Sequence, residues 1–157
     1  MLPSAGSPAP DFTLPSDEGA KVSLKALRGT PVVLYFYPKD DTSGCTTEAC
    51  EFRDAWSDVK KTGVRLFGVS PDGIRSHEKF RAKFKLPFPL LADEDHAVAE
   101  AYGVWGEKSM YGRKYMGILR TTFIIDARGR IAQVFEKVKP AGHAGEVLAA
   151  LKQLATP

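Results

Sequence analysis

The run Pro31-Val-Val-Leu-Tyr-Phe-Tyr37 is β-branched and aromatic without a polar break and is closed by Pro38, the pattern of a strand covered on both faces. It predicts the centre of a sheet. Beyond the polar loop Lys39 to Gly44, the residues Cys45, Ala49, Phe52, Trp56 and Val59 recur at spacings of four and three, which places one apolar stripe along a helix. Val64 to Val69 predicts a second buried strand, and Gly73 to Phe84, with Ile74, His77, Phe80 and Phe84 on one side, a second helix. A short strand at Phe88 to Leu91 and a short helix from Asp93 to Tyr102 follow. Thr121 to Ile125 and Ile131 to Val138, joined through Asp126-Ala-Arg-Gly129, predict a hairpin. Pro140 and the stripe Val147, Leu148, Leu151, Leu154 close the chain with an amphipathic helix. At the other end, Phe12 to Leu14 and Lys21 to Leu24 flank the turn cluster Ser16-Asp-Glu-Gly19 as an N-terminal hairpin, after a Pro/Ser/Gly/Ala-rich start, residues 1–10, that reads as a mobile arm. The order is α/β with a mixed central sheet flanked by helices.

The 157 residues, 43% of them apolar, suit one domain over the whole chain. A formal charge of +3 is too small and too evenly spread to mark a nucleic-acid surface. No apolar run approaches the ~20 residues of a membrane-spanning helix. The start lacks the basic residues and apolar stretch of a secretory signal, so a cytoplasmic protein is expected. His77, His96 and His143 have no ligand spacing and read as structural or exposed, so no metal is expected. No glycine fingerprint for flavin or nicotinamide is present, and no cofactor is expected. Trp56 reads as core, whereas Trp105, Tyr111 and Tyr115, in a Gly-rich loop before Arg120, either flank a site or pack as a satellite.

Two cysteines, Cys45 and Cys50, exclude a disulfide scaffold and leave cysteine chemistry open. Cys45 falls where a buried strand hands over to a helix N-terminus, where unpaired amides and the helix dipole favour an anion. At its ordinary pKa a free cysteine is only about 3% thiolate at pH 7, so such stabilisation matters. Spacing alone leaves an inert buried cysteine equally open.

The stretch Phe36-Tyr-Pro38-Lys-Asp-Asp-Thr42-Ser-Gly-Cys45-Thr-Thr-Glu48-Ala-Cys50 resembles the active-site loop of the peroxiredoxins, and more narrowly that of the bacterioferritin comigratory protein or PrxQ group. Ala9 to Leu14, Val69-Ser-Pro-Asp72 and Tyr111 to Asp126 extend the resemblance over nearly the whole chain. It implies a thioredoxin-like fold with an N-terminal extension, a hydroperoxide substrate, and Cys45 as the attacking thiolate. It further implies that Pro38, Thr42, Gly44 and Arg120 hold the peroxide, that Cys50 resolves the oxidised Cys45, and that a monomer is recycled by thioredoxin or a similar dithiol.

The residue types suit that chemistry. Attack on a peroxide leaves a sulfenic acid and needs donors along the O–O bond. Thr42 offers a hydroxyl, or is an N-cap, although Ser43 is the better cap candidate. Arg120 offers fixed donors, and Glu48 either orients it or is a solvated carboxylate. Cys50 stands about 140° around the helix and ~7.5 Å along it from Cys45, so a bridge requires local unwinding. Alternatively Cys50 is passive and another thiol resolves Cys45. A thioredoxin-like disulfide oxidoreductase is disfavoured by the four residues between the cysteines, and a redox sensor or holdase remains a competing class.

Overall fold

Side chains along the central strand alternate between two cores. In the computed structural model, which describes residues 2–155, β1 (Thr13–Pro15) and β2 (Lys21–Ser23) form the N-terminal hairpin. β3 (Val32–Phe36) lies at the middle of a five-stranded sheet with β4 (Arg65–Ser70), β5 (Leu90–Ala92), β8 (Thr121–Ile125) and β9 (Ile131–Phe135), in the order β5-β4-β3-β8-β9. β3 runs parallel to β4 and antiparallel to β8. Val32, Leu34 and Phe36 enter one core, with Phe12, Tyr102 and Phe123. Val33, Tyr35 and Tyr37 enter the other, with Cys45, Phe52, Phe80 and Val147. Burial on both faces is why the run carries no polar position.

The second core lies under α1 (Ser43–Asp54), α2 (Trp56–Lys61), α3 (Ile74–Phe84) and α5 (His143–Ala155), and α4 (Ala97–Ala101) covers the first. The observed elements depart from the predicted bounds in several places. The long apolar stripe is divided at Ala55 (φ −90°, ψ 4°), so α1 and α2 are separate helices, and half-buried Trp56 meets Phe88 at 6.1 Å. The helix expected from Asp93 begins only at Ala97, because the Asp93 carboxylate accepts from the amides of Val98 and Ala99 (3.1 and 2.8 Å) and His96 turns left-handed (φ 50°). β5 starts at Leu90 rather than Phe88, and β9 ends at Phe135 rather than Val138.

The Gly-rich loop before Arg120 is in fact a hairpin, β6 (Trp105–Met110) with β7 (Arg113–Ile118). Tyr111 and Gly112 both have positive φ (52° and 78°), which joins the strands through a two-residue turn. Both strands are largely exposed, so no apolar alternation announces them. Of the expected arm, Met1 lies outside the described residues, and the rest is pinned rather than loose: Gly6 donates to Ile131 at 2.8 Å, Ala9 to Gly129 at 2.9 Å, and Ile131 to Ser7 at 2.8 Å. Among the described residues no helix is long and apolar enough to cross a membrane.

Candidate active site

α1 starts at the C-terminal edge of the sheet. Tyr37 continues β3 by donating its amide to Val69 at 3.0 Å, half-buried Pro38 ends that pairing, and Thr42 is the helix N-cap. The first i→i−4 bond runs from Thr46 to the Thr42 carbonyl at 2.8 Å. The amides of Ser43, Gly44 and Cys45 therefore precede the helical ladder, at the positive end of its dipole. Neither hydroxyl caps them. Thr42, not Ser43, is the cap residue, and its Oγ1 donates to the Lys39 carbonyl at 2.8 Å instead. With its proton so committed, the oxygen is left as an acceptor.

Cys45 lies one turn before Glu48, on the same face of α1. Cys45 is 1% exposed and Glu48 is fully buried. Arg120, immediately before β8, serves both: Nη2 donates to Cys45 Sγ at 3.2 Å and Nη1 donates to Glu48 Oε1 at 2.7 Å. One planar fork thus fixes the sulfur and the carboxylate together. The Arg120 carbonyl in turn accepts the Val138 amide at 3.1 Å, which fixes the base of the side chain. Gly44 leaves room for Pro140, because a Cβ there would stand 3.3 Å from Pro140 Cγ, a tight contact, and would touch Nη2 at 3.4 Å.

Burial pushes the Glu48 carboxyl up to about 7, although the Arg120 charge and hydrogen bond pull it down. Burial would lower the Arg120 pKa, but Glu48 and Cys45 raise it on balance, so the guanidinium stays charged. Glu48 Oε2 and the Tyr35 hydroxyl are buried without hydrogen-bond partners. The tyrosine pKa is raised well above its ordinary value, first by burial and then by the charges of Glu48 and Cys45.

Cys45, Gly44, Glu48 and Arg120 are therefore brought together, with the ion pair between Arg120 and Glu48 as the sequence suggested. The Thr42 hydroxyl is exposed and does not bond the sulfur. Cys50 is half-buried on the same continuous helix as Cys45, and both thiols are free. Trp105 is a satellite of the core, stacked on His96 at 3.9 Å, while Tyr111, 98% exposed, sits at the hairpin tip. His77 and His143 are buried, and His143 accepts or donates a 2.7 Å bond with Thr122 Oγ1 of β8. The sequence reading missed Tyr35, Pro140 and the Asp40 to His77 contact, since no spacing rule links residues so far apart in the chain.

A nucleophilic sulfur held beside a guanidinium and helix amides can attack an electrophile that leaves as an anion. Residues 5–134 match the AhpC/TSA family. The chain is 54% identical over 151 residues to a Coxiella burnetii relative, covering 96% of this chain and 100% of the other. It is 47% identical over 154 residues to peroxiredoxin Bcp of Bacillus subtilis, with 98% of each chain covered. It also superimposes with a TM-score of 0.91 on the bacterioferritin comigratory protein of Xanthomonas campestris, solved as trapped-intermediate and ligand complexes in a study of its alkyl peroxide reduction, at 42% identity over 98% of this chain and 100% of that one.

Proposed function

This chain belongs to the AhpC/TSA family as a Bcp/PrxQ peroxiredoxin, a thiol peroxidase, and from that premise we propose that Cys45 is its peroxidatic nucleophile and Cys50 its resolving thiol. The Cys45 thiolate attacks one oxygen of a hydroperoxide. An S–O bond forms, the O–O bond breaks, and the departing alkoxide or hydroxide takes a proton to leave as alcohol or water. Arg120 Nη2, held 3.2 Å from the sulfur, is the observation that carries this reading, because it stabilises the anion before and during attack. The amides of Gly44 and Cys45, ahead of the first helical bond, add donors at the same end of α1. Thr42 Oγ1 accepts the peroxide proton, since its own is bound to Lys39, and Pro38 restricts the loop that shields the sulfur.

Cys50 then displaces hydroxide from the sulfenic acid as an intramolecular disulfide, and a dithiol protein of thioredoxin type supplies two electrons to reopen it. Both thiols lie on one chain, so a monomer completes the cycle. Dependence on thiol reductant fits a reducing compartment, the cytoplasm. No observation favours a disulfide oxidoreductase or a sensor. The test is consumption of hydrogen peroxide and alkyl hydroperoxides with thioredoxin, its reductase and NADPH. Wild type turns over many times and Cys45→Ser does not, because serine is not an anion near neutral pH; multiple turnover by Cys45→Ser would remove the central assignment.

A further inference from the structure

Asp40, Asp72 and His77 bring ligand-type atoms within 4.8 Å of one another, but protein groups already engage all three. His77 Nε2 lies 2.9 Å from the Leu91 carbonyl, which only accepts, so Nε2 carries a proton. Nδ1 lies 2.7 Å from Asp40 Oδ2. That oxygen also accepts from Ser76 Oγ at 2.8 Å, and Oδ1 accepts the Tyr37 hydroxyl at 2.5 Å. Both Asp40 oxygens are thus met by donors, and a donor at Nδ1 completes that set. The arrangement fits an imidazolium at a ring that is 0% exposed. Removing one partner of such a buried pair strands the other charge.

The pair also governs a loop. The Asp40 amide donates to Asp72 Oδ2 at 2.8 Å, and that oxygen accepts Ser70 Oγ at 2.6 Å. Next to it Asp41 has a left-handed backbone (φ 58°) and an ion pair with Lys83 at 2.8 Å. The segment between β3 and α1 is therefore tied to α3 and to the end of β4, a few residues before Cys45. Among the described residues, the titratable groups facing His77 are Tyr37 from the end of β3, Asp40 from the loop and Asp72 beyond β4; β5 presents the Leu91 carbonyl. Burial alone lowers the ring's pKa, but the hydrogen bond and charge of Asp40, then Leu91 and Asp72, raise it on balance.

We propose that His77 is a positioning residue for the peroxide reaction: as an imidazolium it clamps Asp40, and through Asp40 it holds the Lys39 to Thr42 loop in the shape that aims Thr42 and the first turn of α1 at the substrate of Cys45. The inference rests on the peroxidase reading above. It also makes the loop the fixed end about which α1 moves when Cys50 approaches Cys45.

Proton–nitrogen correlation spectra of the reduced full-length protein test the charge directly. Both His77 nitrogens carry protons at neutral pH, and the ring becomes neutral only above the ordinary histidine value of about 6.5; a ring protonated on one nitrogen at neutral pH overturns the proposal. Stopped-flow oxidation of Cys45 tests the positioning. His77→Gln and Asp40→Asn slow the peroxide step by about tenfold, the scale of a small misplacement, and lack the decline that wild type shows as His77 deprotonates. Alkylation of Cys45 by iodoacetamide, which does not use Thr42, changes much less than the peroxide step. Wild-type peroxide rates and pH profile in both variants, or an equal loss in both reactions, overturn the role. The wild-type spectra need no variant, so a variant that fails to fold does not shelter the idea. A wild-type protein inert to peroxide would instead sink the peroxidase reading, and the spectra would still report the ring's charge.

Discussion

Arg120 spends one side of its fork on the Cys45 sulfur and the other on a buried carboxylate, and the two demands oppose each other. Ionised Glu48 fixes the guanidinium but shares its charge; neutral Glu48 leaves that charge to the sulfur. Because the Glu48 carboxyl titrates at about 7, the balance changes near neutral pH. Arg120→Ala removes the cation outright and should slow Cys45 oxidation by roughly 100-fold, the cost of deleting one aimed donor; circular dichroism should show the fold retained, and an unchanged rate constant would remove Arg120 from the reaction. Glu48→Gln is a finer probe, since the amide oxygen still accepts from Nη1 while the titration is lost. The ratio of wild-type to Glu48→Gln oxidation rates should fall in a step as pH rises through about 7. A flat ratio would mean that Glu48 never exchanges its proton in the working site. Gly44 belongs to this scale too: alanine there crowds Pro140 and brings a methyl group into contact with Nη2.

At the level of elements, the sequence was most legible where burial left no choice. β3 is flanked on both sides and buried on both faces, so its composition alone placed it. The start of α1 was legible to within two residues, at Ser43 where the polar loop was expected to run on to Gly44, whereas the break at Ala55 was not, because Trp56 and Val59 continue the apolar spacing across it. The β6 and β7 hairpin carries its one signal in the Tyr111-Gly112 turn, which a reader of apolar periods passes over. α1 itself makes a prediction. It holds Cys45 and Cys50 about 7.5 Å apart along its axis, beyond the usual disulfide separation of about 4.4–6.8 Å between Cα atoms. Bridging them must therefore break backbone bonds worth ~0.5–1.5 kcal/mol each, including that from Thr46 to Thr42. The oxidised protein should exchange the Thr46 to Phe52 amides faster than the reduced protein does, by hydrogen exchange with mass spectrometry. Cys50→Ser, unable to bridge, should keep reduced-like protection after one equivalent of peroxide, oxidise at a near-normal first rate and turn over poorly with thioredoxin. Equal protection in both states of a confirmed Cys45 to Cys50 disulfide would contradict the unwinding.

On the scale of the whole molecule, the site is a meeting of distant segments, and this is what the sequence concealed. Resemblance placed Arg120 beside Cys45, but nothing local says that Glu48 has no solvent, that Pro140 lies over Gly44, or that Asp40 finds His77 from another helix. Burial of Glu48 ties catalysis to stability. Its carboxyl holds a proton in the folded state up to about pH 7, against an ordinary value of 4.5, whereas the unfolded chain releases that proton from its ordinary value upward. Between those values the unfolded state binds fewer protons than the native state, so rising pH favours unfolding. Fully expressed, the shift amounts to about 3 kcal/mol, or about 2–4 °C of melting temperature for each kcal/mol in a chain of this size. Glutamine at position 48 cannot ionise and escapes the loss. The melting temperature of Glu48→Gln relative to wild type should therefore rise by several degrees as pH is raised from 4.5 to about 7, and level off above that. Differential scanning calorimetry of the reduced proteins reads this difference, in which contributions common to both, such as those of His77 and His143, cancel. A difference that stays constant across that window would show that Glu48 is already ionised beside Arg120 at the acid end, and that the guanidinium, not the proton, meets the cost of burying it.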